Sequence, residues 1–284
     1  MTEQSAEKYA TADNMIDLDH YPIKSINDEP GKHFAARCRQ NFHNSGLCAL
    51  PGFIKPNAMS ALVKEAESMR EDAYFCKSLH NAYLTDEMTS DASDAVRTLE
   101  HTFVGSVPYD RIPTESSLNQ LYLWDPLMKF IGHVLGKDTF HRLADPLGAC
   151  TINVFVDGGE HGWHFDEAEF TVTLMLQKPD EGGAFEYVPG VRDLPDEKLI
   201  VEQVLAGERD LVKELPFTTG TLLIFGGRQT LHRVTRVSGK RARLLPVLCY
   251  SEHPDVVNSE SVRQLFWGRT GPEVPMPAQH TSRF

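Results

Sequence analysis

The sequence predicts a mainly β protein with helices: a double-stranded β-helix (jelly roll) core with N-terminal helices packed outside it. Three observations predict it. In the first half, apolar residues recur at the three-and-four spacing of amphipathic helices. From residue 148 onward the period changes to two, as in half-buried strands. The strands so marked are short and separated by Gly and Pro turns. The length of 284 residues suits one large β domain with added helices, and a hydrophobic fraction of 41% supports a real core.

Taken in order, residues 1–30 are polar and mixed, and read as a flexible N-terminal arm. Residues 31–284 read as a single domain, of which 31–147 form the helical part. Phe34–Phe42 suits a short helix, and Leu47–Leu50 a strand stopped by Pro51 and Gly52. Lys55–Arg70 is an amphipathic helix, with Pro56 near its start and Met59, Leu62, Val63, Ala66 and Met69 on one face. The polar, Pro-containing stretch near 79–117 reads as a long, lid-like loop. Helices follow over Ser117–Trp124 and Asp125–Leu135, the second closed by Gly136.

Residues 148–250 form the β core. Strands are expected at Ala149–Val156, Phe170–Gln177, Gly183–Pro189, Thr219–Phe225, Leu231–Val237 and Arg243–Tyr250. A charged helical insertion lies between 193 and 212. Pro246 inside the last strand marks an edge position or a bulge. Residues 251–284 form a C-terminal tail.

The net charge of −12 and pI of about 5.4 argue against non-specific binding to nucleic acid or to an anionic membrane. Five scattered Cys, with no C-x-x-C pair, read as reduced thiols. No apolar N-terminal segment marks export and no run has spanning length, so the expected location is cytoplasmic. Oligomeric state is not readable.

The chemistry concentrates at His164 and Asp166. In an extended segment, residues i and i+2 share a face, so both side chains can aim at one point. An H-x-D pair arises by chance roughly once in a chain of this composition. It does recur at His253 and Asp255, where Pro254 and polar neighbours mark a turn. The first copy lies instead between a Gly-rich turn and a strand. His232, after its own Gly turn and at the start of a strand, is the natural third ligand. Two His and one carboxylate with open positions are the ligand set of non-haem Fe(II) centres. A two-oxygen chelator such as 2-oxoglutarate would fill two of those positions and O2 the third. Its far carboxylate needs a cation. Arg241 and Arg243 share parity with Leu245, Val247 and Cys249, and an inward face would bring either to the pocket, with Arg243 favoured as deeper in the strand.

These residues carry a resemblance. His164-Phe165-Asp166, then His232, then Arg241 and Arg243 leading the final strand, resemble the Fe(II)/2-oxoglutarate-dependent oxygenase superfamily over about Gly148–Tyr250. The runs at His161–Glu167, Gly182–Pro189, Leu231–Thr235 and Phe266–Arg269 resemble, more narrowly, the small oxygenases that hydroxylate or chlorinate free amino acids. The resemblance implies a small-molecule substrate, an amino acid, with His161 and Glu167 facing it, Arg97 holding its carboxylate and Trp267 folding over the site. The halogenases of that group carry a small residue where Asp166 stands, so it implies hydroxylation. Open alternatives are a protein-bound or carrier-bound substrate, desaturation or ring closure, and a metal-binding module without activity.

Overall fold

The structure is a computed structural model, and it describes residues 11–84 and 97–273. The helices are α1 (Ala12–Met15), α2 (Glu29–Ser45), α3 (Pro56–Ser68), α4 (Ser117–Tyr122), α5 (Asp125–Leu135), α6 (Glu197–Leu205) and α7 (Glu260–Trp267). The strands are β1 (Leu47–Leu50), β2 (Tyr74–His80), β3 (Glu100–Val107), β4 (His141–Arg142), β5 (Cys150–Phe155), β6 (Glu160–His164), β7 (Thr171–Leu174), β8 (Glu181–Gly182), β9 (Phe185–Val188), β10 (Lys213–Leu215), β11 (Leu222–Phe225), β12 (Leu231–Val234), β13 (Val237–Ser238), β14 (Arg243–Leu248) and β15 (Tyr250–Ser251).

The principal sheet is antiparallel, in the order β1-β11-β7-β14-β5-β3-β6-β12-β9-β10, with β2 added on β3. This is the jelly-roll core expected from the period-two strands. β3 joins its two halves. It pairs β2 from Glu100 to Ser106, while its last residues also pair β5 and its earlier ones β6.

Alternation along the strands divides the core. Leu222, Ile224, Leu244 and Leu248 face outward and are buried with α1 to α5 in the main hydrophobic cluster. Leu223, Phe225 and Leu245 face inward with Met175, Phe185 and Tyr187. The helical layer rests on apolar stripes. Ala58, Leu62 and Ala66 are the buried face of α3, which starts at Pro56, and Phe34 of α2 stacks on Phe130 of α5 at 5.6 Å. Helix α5 ends at Gly136, which is left-handed (φ 71°).

Four expectations change. The expected arm is part of the core from residue 12 on: Met15, Ile16, Tyr21 and Ile23 are buried, since the few apolar residues of a polar stretch all turn to one side. Residues 1–10 lie outside the described residues. Within the expected loop near 79–117, Glu100–Val107 is strand β3 rather than loop, pairing β2 across a gap too long for local pattern reading, while the described residues between the two strands, 81–84 and 97–99, lie in no strand. Residues 85–96 of that stretch are outside the described residues, as are 274–284 of the tail. The short helix at Phe34–Phe42 extends over the whole of α2. Finally, β14 is central rather than an edge, pairing β5 and β7. The irregularity near Pro246 lies on the partner strand: β14 pairs β7 as Val247 with Thr173, but Leu176 and Gln177 both donate to Leu244 O, a slip of one residue opposite the stretch that holds the proline.

Candidate active site

The strand ladder builds the site. His232 of β12 is directly opposite His164, the last residue of β6. Their ring centroids are 4.2 Å apart. Asp166 stands just beyond β6 in irregular backbone, not in the extended strand that the H-x-D spacing invoked. Its backbone N–H donates to Gly227 O at 3.2 Å, which turns the carboxylate back towards both imidazoles. Asp166 Oδ1 is 3.4 Å from His164 Nε2 and 3.5 Å from His232 Nε2. Ligand atoms of the three residues all lie within 4.8 Å of one another.

Each imidazole is oriented by backbone. His164 Nδ1 bonds Gly162 O at 2.8 Å, and His232 Nδ1 bonds Thr230 O at 2.8 Å. A carbonyl accepts only, so Nδ1 carries the proton and the Nε2 lone pair faces the centre. Burial, with His232 nearby, pushes His164 down to about 4, so it is neutral and available as a ligand. Burial alone would raise the Asp166 carboxyl, but His232 and His164 outweigh this and hold it well below the ordinary range. Its other oxygen, Oδ2, accepts from Thr171 Oγ1 at 2.5 Å. The donor set, one carboxylate oxygen and two imidazole nitrogens with fixed tautomers, fits a divalent first-row metal.

The three residues open into a cavity of about 520 Å³. Beyond it, Arg243 is fully buried, and none of its three guanidinium nitrogens has a hydrogen-bond partner among the described residues. The guanidinium carbon is 5.1 Å from the Phe155 ring centre and 5.9 Å from that of Phe217. Burial lowers its pKa to about 9. An orphaned, desolvated cation is costly, and a carboxylate supplied by a ligand would satisfy it. The inward parity expected for β14 therefore reaches Arg243. Arg241 is in the preceding turn, exposed and paired with Asp180 at 3.4 Å, so it does not reach the cavity. Its parity was right, but the strand begins only after it.

The remaining expected residues divide. His161 lines the cavity with its ring stacked on His164, at 3.7 Å between centroids. Glu167 lines it near the surface and accepts from Ser259 Oγ at 3.3 Å. Trp267 forms part of the wall and donates from Nε1 to Ser106 Oγ at 3.1 Å. Arg97 is exposed and does not line this cavity. His253 is in a turn, as expected of the second H-x-D.

Sequence reading missed Thr171 and Gly227. Thr171 was visible only as a polar position alternating with Phe170 and Val172, and nothing local tied it to Asp166. Gly227 has no local signal beyond the turn: a Cβ there would stand 2.1 Å from Asp166 Oδ2, so the carboxylate requires glycine.

A family model described as halogenase D matches residues 31–265. The chain belongs to the halogenase D family. No curated protein sequence matches it. Among solved structures, this halogenase D family member is similar in fold to the non-haem α-ketoglutarate-dependent epimerase SnoN of nogalamycin biosynthesis (TM-score 0.55, 14% identity, 78% of this chain and 83% of that one). It is similar to the α-ketoglutarate-dependent carbocyclase SnoK of the same biosynthesis (TM-score 0.54, 13% identity, 94% and 97%). HygX from Streptomyces hygroscopicus, solved with nickel, 2-oxoglutarate and hygromycin B, gives a TM-score of 0.53 at 14% identity, with 78% and 88% covered. The fold is thus that of the 2-oxoglutarate–Fe(II) oxygenases.

Proposed function

We propose that this member of the halogenase D family is an Fe(II)- and 2-oxoglutarate-dependent oxygenase that hydroxylates an unactivated C–H of a free amino acid or similar small molecule. His164, Asp166 and His232 hold the iron. Arg243 takes the far carboxylate of 2-oxoglutarate. His161, Glu167 and Trp267 lie on the substrate side of the cavity; Arg97 is not among its lining residues. Iron held there, with 2-oxoglutarate and O2, would supply an oxidant strong enough for a C–H bond, with 2-oxoglutarate converted to succinate and CO2.

The chain's own residues orient and shield that centre. The Gly162 and Thr230 carbonyls fix both imidazoles, Thr171 leaves Asp166 a single oxygen for the metal, and apolar walls exclude water. The observation that carries the reading is Asp166 itself, converging with both Nε2 atoms on one point. A carboxylate in that position takes the place a halide would need, which favours hydroxylation within a family described by halogenation.

The test is succinate formation with Fe(II), ascorbate and 2-oxoglutarate under air, across the protein amino acids tested singly, with chloride present and the product's mass recorded. Stimulation by one or a few amino acids with a product heavier by one oxygen supports the reading. A chlorinated product, or metal binding with no stimulation by any amino acid, refutes it.

A further inference from the structure

The outer wall of the cavity is not supplied by the jelly roll. Asn258, Val262, Phe266 and Trp267, from α7 and the residue leading into it, line it. The helix itself packs Leu265 and Phe266 against Cys76, Val104, Phe155, Val234 and Val237 and buries Trp267. Its two ends are tied by a carboxylate and an arginine. Asp145, in the loop before β5, is 1% exposed, and both its oxygens are used. Oδ1 accepts from the backbone N–H groups of Leu147 (2.8 Å) and Gly148 (2.9 Å). Oδ2 accepts from Asn258 N–H at 2.8 Å and lies 3.5 Å from Arg263 Nε. Arg263 also donates to Asn258 O at 3.0 Å and to Thr270 O at 2.5 Å, clasping both ends of α7. Gly148, held by the same carboxylate, leaves the space that Asn258 and Trp267 fill: a Cβ there would lie 2.1 Å from Asn258 Nδ2 and 2.9 Å from the Trp267 ring.

We infer that Asp145 is a positioning residue that, through Asn258, Arg263 and Gly148, holds α7 as the substrate-facing wall and so sets substrate affinity and the coupling of 2-oxoglutarate turnover to substrate oxidation. The inference rests on the proposed function, in which the cavity takes a small organic substrate. Asp145 touches neither the metal residues nor Arg243. All its partners are donors, so an amide at this position must turn an N–H towards at least one of them.

The test uses full-length Asp145→Asn, with Arg263→Gln and Gly148→Ala as further variants should the first fail to fold. Iron and 2-oxoglutarate affinities are measured without oxygen. The Trp267 indole N–H is followed by NMR, assigned with Trp267→Phe. KM and kcat are read with the protein amino acid that stimulates the wild type best. The expected result is a shifted, faster-exchanging Trp267 indole signal, a KM raised about tenfold, and more succinate than oxidised substrate, with iron and 2-oxoglutarate affinities within about twofold of wild type. An unmoved indole signal with unchanged KM overturns the inference, as does a loss of metal and 2-oxoglutarate binding in step with KM, which would mark a general structural role. If no amino acid stimulates the wild type, the proposed function fails, and the indole signal alone decides whether Asp145 holds the wall.

Discussion

At the residue scale, Arg243 and Arg241 show how two residues of equal parity part. Strand β14 begins at Arg243, so its guanidinium enters the interior between Phe155 and Phe217, while Arg241 stays in the turn with Asp180. Among the described residues the buried cation has aromatic rings beside it but no hydrogen-bond or carboxylate partner, so it costs stability until a carboxylate arrives. Arg243→Met, similar in length and apolar, should raise the melting temperature of the protein without 2-oxoglutarate. It should also abolish the further rise that 2-oxoglutarate gives the wild type. In turnover, the half-saturating 2-oxoglutarate concentration should increase about 100-fold, the order expected for a lost bidentate, charge-assisted contact. Arg241→Ala should change neither by more than about twofold, as an exposed ion pair contributes little. Equal effects of the two substitutions would move the anion site out of the β14 interior.

At the element scale, the candidate metal site is a product of strand register. His164 and His232 are 68 positions apart in the chain yet directly opposed across β6 and β12, an arrangement that no local period encodes. The same ladder is braced on its other face by Glu186. Its carboxylate, 6% exposed, accepts from Arg209 at 2.8 and 2.5 Å and from Arg233 Nε at 2.6 Å, tying β9 and β12 to the segment before β10. Burial pushes this carboxyl up, and the two arginines more than reverse that, leaving it below the usual value. A depressed carboxyl stabilises the fold above its unfolded pKa of about 4.3 and loses that contribution as pH falls through the folded value. Glu186→Ala should therefore destabilise the protein by about 2–3 kcal/mol at pH 7. The difference from wild type, followed by denaturant titration, should shrink below about pH 4 as the carboxylate protonates. A difference that persists unchanged into acid would show that the ion cluster is not what braces the ladder.

At the scale of the whole molecule, the helical layer and the jelly roll share one core. The segment over residues 12–26 is part of it, with Met15, Ile16 and Ile23 no more than 1% exposed. Ile16→Ala and Ile23→Ala should each cost about 2–5 kcal/mol. Because the layer covers the outer face of the strands that carry Arg243 and Thr171, the double variant should lose 2-oxoglutarate binding through unfolding rather than through the site. Binding and the calorimetric transition should then disappear together. A double variant that melts like the wild type would return this segment to the status of an arm.

Local chemistry is legible in a sequence, and distance is not. The change of period at residue 148, the Gly and Pro turns, the helix faces of α3 and α5 and the identities of His164, Asp166, His232 and Arg243 are all set by side-chain type and near-neighbour spacing, so the chain by itself determined a jelly roll with outer helices and a two-His, one-carboxylate site. Pro246 pointed to an edge or a bulge, because a missing N–H leaves few places for it in a ladder; the strand is central, and the ladder slips on its partner. Other features depended on which segments meet. The hairpin of β2 and β3, the burial of residues 12–26, the closeness of Gly227 to Asp166 and the clasp of Asp145 on α7 were settled only by the tertiary structure. Each is a contact between residues far apart in the chain, fixed by packing and by the pairing of buried polar groups.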